Sequence, residues 1–596
     1  MPPPTPPPSP LALRSALFLS AAAPLIFSNA VVAVFTLPKL AVLSGAALLA
    51  GASGLWGLRS PAGVFRGTPL DPALAAAAAS LLVSTIFSWD PRLSILGMYN
   101  YYAYGLWGLG LVASIYCAAA SIGEAERENL LKFAAFGAAL SGLYAVLQVQ
   151  GVEPFPQVGQ VLTGRRAIST QGSPVSLGAY LALFFPLAAH WAGKPGGRFL
   201  GWAGVVLLGG GLLASGSRAA WLSAGAGAAV ALWGSGPWGL GGKISARKLG
   251  LAAAILLASG TGIAVRLSGR TQAAGVDSAR LEVWKIAWNC FRDNPWIGIG
   301  PDAFELYFRK AKTPAYIQAA TAVEYQAHAH NDILEALTTT GALGGAAYAL
   351  LLYMVIKAGM AAWSDPARRS RSAALAGGLL ALFINMKFNP IPLEVLAAGA
   401  LLAGALAPAR GTAGRLREIA SAAVLAAFGL AAASGAWVLV RADAQVKDAQ
   451  RLKASGRPEL AQRRLEAALA LRPCELAYSV EYANFLHARA ASISEPAVRL
   501  QLLDLGAAAA EKAAACHPAS PIARYALGVC ALFQAQAGRP ERLSAAEMEL
   551  DRALELDPLF VPILRARARA ALVRGDNALF SALEEKSRSL EGLSRR

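Results

Sequence analysis

Charge is what this sequence has least of. Only 15% of its 596 residues are Asp, Glu, Lys or Arg, against 55% hydrophobic ones, too few to cover a soluble protein of this size. Acidic residues are scarcer still, 36 against 54 basic ones, which leaves a net charge of +18. Cysteine is sparse and scattered: Cys117, Cys290, Cys474, Cys516 and Cys530 form no CxxC spacing, so no cysteine-held metal cluster is indicated. Cys516 and Cys530 could pair in an oxidising compartment, but two buried apolar thiols are the expectation. The opening MPPPTPPPSP lacks the charged n-region and cleavage site of a signal peptide. The first apolar run is therefore expected to stay as an anchor behind a structureless leader, 1–10.

Apolar runs are abundant, near 11–35, 38–58, 72–88, 104–120, 131–150, 174–193, 199–216, 219–233, 248–265, 333–357, 373–386, 391–408 and 418–440. Helices of this length cross a hydrocarbon core of about 30 Å, and the reading is about thirteen spans. The shortest, 219–233 and 373–386, must be extended, tilted or re-entrant. In a soluble protein the positive charge would point to nucleic acid; here membrane topology accounts for it. With a cytoplasmic N-terminus, alternation puts Arg59, Arg66, Arg127, Lys194, Arg368, Arg371 and Arg417 inside, and leaves short outer loops only Lys39, Arg92, Arg165, Arg166, Arg218 and Lys387. An odd number of spans places the chain after Arg441 outside.

The expected fold is all-α: a polytopic transmembrane bundle over 11–440 with a long outer loop at 266–331, then a helical-repeat domain at 441–596. Within the loop, LEVWKIAWNCFRDNP has helical spacing, with Leu281, Trp284, Ile286, Ala287, Trp288 and Phe291 as its apolar face, and IGIGP ends the helix. Trp284 and Trp288 fit either the membrane interface or packing on the bundle. In the tail, AQRRLEAALALRP and AEMELDRALELDP look like second helices of tetratricopeptide repeats, with alanine at close contacts and proline closing the helix. Such repeats stack into a short solenoid that binds a protein partner. His487 and His517 stand isolated there, as surface or core residues.

The chemistry-bearing residues are cations on the outer side, against the prevailing bias. Arg218, in ASGSRAAWLS, sits at a short turn between spans, crowded by small residues and with no obvious acidic partner; a guanidinium there is costly unless it faces a polar cavity or an anion. Arg280 opens the loop helix, and Arg92, Arg165 and Arg166 share its side, although Arg92 and Lys39 could equally reach to lipid headgroups. Planar guanidinium forks suit phosphate. His328 and His330 stand two residues apart, with Asp332 the only third ligand beside them for a metal.

In order and spacing, SGSRAAWLS, then ARLEVWKIAWNCFRDNPWIGIGPDAF, then AHAHNDILEALTTTGALGG resemble the O-antigen ligase and Wzy-type polymerase family of membrane glycosyltransferases, over about residues 80–408. The upstream turn reads GSPVS where that family more commonly has asparagine, which puts a polar contact there in doubt. The resemblance implies a GT-C-like bundle in a bacterial inner membrane, with the C-terminal domain extracytoplasmic. It implies inverting, metal-independent transfer of a glycan from a polyprenyl-diphosphate carrier to an acceptor hydroxyl on a glycan, lipid A core or protein, with no cofactor. It further implies Arg218 and Arg280 at the diphosphate and His330 beside the acceptor because it directly precedes Asn-Asp; Arg92, Arg165 and Arg166, as cations of the same side, and Asn331 are expected as further substrate contacts. Two other classes remain open on the sequence: a flippase or transporter of lipid-linked saccharide, and a membrane-anchored scaffold for envelope polysaccharide assembly. A transporter would be expected to show repeated halves and broken helices at mid-membrane, and neither is evident.

Overall fold

The computed structural model describes residues 9–59, 64–65, 67–155, 166–234, 273–321, 323–409 and 415–594. Every apolar run of the sequence coincides with a helix except 248–265, which lies outside the described residues, and no strand occurs among the residues described. By length and composition alone, six helices can cross a membrane: Leu37–Gly57, Glu124–Val149, Pro174–Ala192, Arg198–Ser215, Asp332–Trp363 and Arg415–Ala454. The two shortest runs are lengthened by their flanks, to Arg218–Gly234 and Arg369–Met386, and these helices pack on each other. The contact is made through glycine: a Cβ on either Gly227 or Gly377 would collide with the other's carbonyl oxygen. Where lipid surrounds a bundle, such small residues let backbones approach and dispersion replace the missing hydrophobic drive. The first run ends earlier than expected. Its helix stops at Ala22 and a short 3-10 turn with Pro24 closes it, leaving 26–36 as a loop.

The two ends of the bundle carry different charges. At one end Arg368 and Arg371 pair with Glu124, and Arg417 pairs with Asp71. At the other lie Arg166, Arg218, Arg280, Lys387 and the C-terminal helices. Lys39, at this second end, does not reach outward: it is 1% exposed and its ammonium pairs with Glu394 at 2.6 Å.

Residue 440 is no boundary in the backbone, because Arg415–Ala454 is one continuous helix that runs out of the bundle and becomes the first helix of the C-terminal unit. From there, helices Pro458–Leu471, Leu476–Ala491, Pro496–Cys516, Pro521–Gln536, Arg542–Leu556, Val561–Arg574 and Asn577–Ser594 each pack on the next. The unit is fastened down at three places. Asp443, fully buried, accepts from Val32 N–H (2.6 Å), Ala33 N–H (3.1 Å), Tyr99 Oη and Tyr478 Oη. Asp557, also fully buried, pairs with Lys312 (2.9 Å) and Arg309 (3.3 Å). His517, far from isolated, meets Asp90 through Nδ1 at 2.6 Å and the Cys474 carbonyl through Nε2 at 2.9 Å. Cys474 is disulfide-bonded to Cys516, so Cys516 does not pair with Cys530, which stays a buried thiol. The sequence separation of 42 hid this partnership; the ends of two helices bring the Cα atoms to 5.7 Å.

The His517 contact has a pH sign. Burial opposes its charge, but the Asp90 carboxylate and the Cys474 carbonyl outweigh that and raise its pKa above the usual imidazole value. A group raised on folding stabilises fully below its unfolded pKa, about 6.5, and loses that contribution as pH rises through the folded value. Amide exchange around Asp90 and Ser520 is therefore expected to quicken as pH is raised from about 6 to 9, after correction for intrinsic rates, and His517→Gln to remove the trend. A wild-type protein with no such trend would show that this contact does not titrate.

Candidate functional site

A break in a helix organises the second end. In Asp332–Trp363, Gly341 takes a left-handed φ of 64°, which separates a short first segment from the long one that follows. The polar backbone freed there has to be satisfied. The partner is the IGIG segment after the loop helix: Ile299 and Gly300 N–H donate to the carbonyls of Thr338 (3.1 Å) and Thr339 (3.0 Å), while Ala342 N–H donates to the Pro295 carbonyl (2.7 Å). Gly298 (φ 69°) and Gly341 are glycine for the same reason, since a Cβ at either would enter the facing backbone. Two motifs read separately in the sequence are thus one joint.

His328 lies under this joint. Its ring is 4.8 Å, centroid to centroid, from both Tyr101 and Tyr104. Nδ1 faces Glu335 at 3.2 Å and Asp302 at 3.7 Å. Glu335 also accepts from Ala329 N–H (2.6 Å), and Asp302 from Met98 N–H (2.7 Å). Burial works against a charged His328, but the two carboxylates prevail and raise its pKa. Burial also pushes Asp302 up to about 6. Through Nδ1, His328 joins the 302 turn to the helix start at 335.

His330 turns the other way, helped by a left-handed φ of 53°. Its Nε2 faces Gln326 Oε1 at 2.8 Å and its Nδ1 faces the Phe388 carbonyl at 3.4 Å. The next residue along, Asn389, accepts from Arg280 Nη2 at 3.3 Å. One turn, Phe388–Asn389, thus gathers Arg280 and His330. Burial, then the Arg280 charge, then His328 hold His330 down at about 4, so its imidazole is neutral at physiological pH.

The remaining predicted residues fall into three groups. Arg218 is exposed at the first turn of Arg218–Gly234. It shares an end with His330, because Ser223 of that helix meets Asn385 (2.5 Å), one turn before Phe388. Arg166 donates to the Ser215 carbonyl (2.8 Å), which sets it beside the Arg218 turn; Arg165 lies outside the described residues. Arg92 is exposed on Pro91–Leu96, the helix capped by Asp90 and tied to Pro301 through Ser94, at the seam with the C-terminal unit. Asn331 caps the following helix, its Oδ1 accepting from Ile333 and Leu334 N–H.

Sequence reading missed Tyr101, Tyr104, Asp302 and Glu335, which meet only in space. Glu335 alone left a trace, a carboxylate on an otherwise apolar helix start. The loop helix, Ala273–Asp293, buries Ile286 and Ala287 of the expected face, but Val283 and Cys290 complete the stripe, whereas Leu281 and Trp288 are exposed.

Residues 203–349 match the Wzy_C family model, described as O-antigen ligase, a segment that contains Arg218, Arg280, His330 and Asn331. That match supports the O-antigen ligase family and glycan transfer of the ligase or polymerase type in general, and the apolar helices fit a multi-pass membrane protein. A search of curated proteins found no match to the chain.

Proposed function

From the O-antigen ligase match as premise, we propose that this protein transfers a glycan from a polyprenyl diphosphate to an acceptor hydroxyl at the outer face of a bacterial inner membrane, with inversion and without a metal ion. The observation that carries this reading is the Phe388–Asn389 turn, which gathers a guanidinium and a neutral imidazole. In the step, the acceptor oxygen attacks the anomeric carbon, the carbon–oxygen bond to the diphosphate breaks on the opposite face, and the hydroxyl proton passes to the His330 imidazole. The diphosphate leaves with the bond electrons, and Arg280 and Arg218 balance its charge. An imidazole at about 4 is a weak base. Burial depresses it most and the Arg280 charge next; a diphosphate seated on Arg280 offsets the second, so the donor itself makes His330 more basic.

The end that carries these residues also carries the disulfide Cys474–Cys516, which favours an oxidising compartment and hence the extracytoplasmic side. The reading of about thirteen spans is kept here, with 248–265, outside the described residues, counted as one of them. The stacked C-terminal helices are read as tetratricopeptide-like repeats, with part of their surface committed to the outer loop and the rest open to a protein partner.

Arg218 supplies the test. With purified protein and a lipid-linked glycan, Arg218→Lys is expected to lose nearly as much transfer as Arg218→Ala, because the ammonium keeps the charge and loses the fork. Full activity of the lysine variant at unchanged protein level would make Arg218 an anchor of its helix and remove it from the site.

A further inference from the structure

The turn that gathers Arg280 and His330 belongs to the segment 387–392, which joins helix Arg369–Met386 to helix Leu393–Leu406. Ion pairs pin it at both ends: Lys387 to Asp332, and Glu394, in the first turn of the second helix, to Lys39 at 2.6 Å. Between them Pro390 and Pro392 have a fixed φ and no N–H. Ile391 therefore carries the one backbone donor of 390–392, and that donor goes to the Tyr104 hydroxyl oxygen at 2.7 Å. A backbone N–H can only donate, so the phenol oxygen is the acceptor wherever its own hydrogen points. The Tyr104 ring is itself held, 4.8 Å from His328 and stacked on Tyr101 with centroids 6.0 Å apart.

We propose that Tyr104 is a positioning residue for the transfer: by accepting from Ile391 it fixes a proline-stiffened strap, and so sets where the Phe388–Asn389 turn holds Arg280 and His330. This rests on the reading of those two residues as donor contact and base. The turn directly precedes Pro390, whose ring restricts the joint to Ile391. A shift at Ile391 is therefore passed to the Asn389 side chain that accepts from Arg280 (3.3 Å) and to the Phe388 carbonyl beside His330 (3.4 Å). The phenol acts through the backbone, at one remove from the reacting groups. Glycan transfer needs the acceptor oxygen and the anomeric carbon to meet in a narrow range of distance and angle, and a displacement of about 1 Å can cost about 10²-fold in rate.

The experiment measures kcat and KM for a lipid-linked glycan, per folded molecule, in the full-length protein carrying Tyr104→Phe, Tyr116→Phe, Asn389→Ala or His330→Ala. Tyr104→Phe keeps the ring against His328 and removes only the acceptor. It is expected to lower kcat by about tenfold with KM within about twofold, since the arginines still bind the diphosphate while the geometry of attack is lost. Tyr116→Phe removes a phenol that meets Thr68 at the opposite end of the bundle (2.9 Å), and is expected to keep wild-type kcat. A role in stability alone would lower yield and Tm in both variants and leave kcat per folded molecule unchanged. Combined with Asn389→Ala, Tyr104→Phe is expected to cost less than the product of the two single losses, because Asn389 is a contact through which it acts. Should Tyr104→Phe fold poorly, the double variant Lys39→Met, Glu394→Met replaces the buried ion pair by apolar side chains, frees the far end of the strap and is expected to show the same split of kcat against KM. Wild-type kcat in Tyr104→Phe, or in the double variant where it stands in, would overturn this inference alone when His330→Ala is inactive; so would a loss that multiplies in full with that of Asn389→Ala. An active His330→Ala would overturn the reading beneath it as well.

Discussion

His330→Ala is expected to lower transfer by about 10²–10⁴-fold, the usual range for a general base, while the protein stays inserted and still binds the lipid diphosphate. Binding survives because it belongs to the arginines, and Arg280 keeps its partner Asn389 whether or not the imidazole is present. The informative control is His328→Ala. Removing that ring leaves Glu335 and Asp302 as buried carboxylates without their counter-ion, which costs about 3–5 kcal/mol when a buried pair loses one member. His328→Ala is therefore expected to reduce yield and thermal stability but to lose much less rate per folded molecule. Both rates are measured in EDTA with purified variants, and wild-type activity is expected to be unaffected by the chelator. Equal losses per folded molecule in the two variants, or wild-type activity lost in EDTA and restored by a divalent ion, would overturn the assignment.

Arg280 is expected to separate charge from shape. Arg280→Ala removes both the phosphate fork and the cation that helps depress His330, so the rate falls and the acid limb of kcat/KM, which reports the free enzyme, rises. The sign follows from the base being the neutral imidazole: activity is lost as pH falls through its pKa, and a higher pKa brings that loss at higher pH. Arg280→Lys keeps a cation near His330, so the limb stays near the wild-type position, yet the rate falls nearly as far because a point charge cannot bridge two phosphate oxygens. A removed or mispaired arginine typically costs about 2–5 kcal/mol at a charged contact, which is roughly 30-fold or more in kcat/KM. If Arg280→Ala loses rate with no movement of the limb, Arg280 acts on the donor alone and its charge does not tune the base.

Which parts of this site were legible in advance follows from where the signals lie along the chain. Arg218 begins its helix and His330 stands just before the next, each in a short polar stretch beside a long apolar one, so their place at a helix end could be read locally; Arg280, expected to open the loop helix, lies inside Ala273–Asp293 because that helix starts earlier. The side-chain oxygen of Asn331 caps the helix after His330, a role a polar residue just before a helix announces locally. His517 looked isolated because its partner is Asp90, 427 positions away, and Lys39 looked superficial because Glu394 is 355 positions away. Cys516, expected to be a buried thiol like Cys530, is instead disulfide-bonded, because its partner Cys474 lies 42 positions away and reaches it only where two helix ends meet.

The amino-acid sequence by itself determined that this chain is helical and built for a membrane. Apolar length, scarce charge and the placement of basic residues are local properties, and a lipid solvent leaves helices as the form that satisfies such segments from within. It also determined that guanidinium and imidazole groups gather near the ends of the apolar helices. Only the tertiary structure decided what those groups do to one another. Tyr101, Tyr104, Asp302 and Glu335 close around His328, the Phe388–Asn389 turn joins Arg280 to His330, and the C-terminal unit grips the loop that carries Gln326. Buried charge is the physical reason. Each such group is costly until a partner is within a few ångströms, and the partner can come from any element the packing brings near, at any distance along the chain.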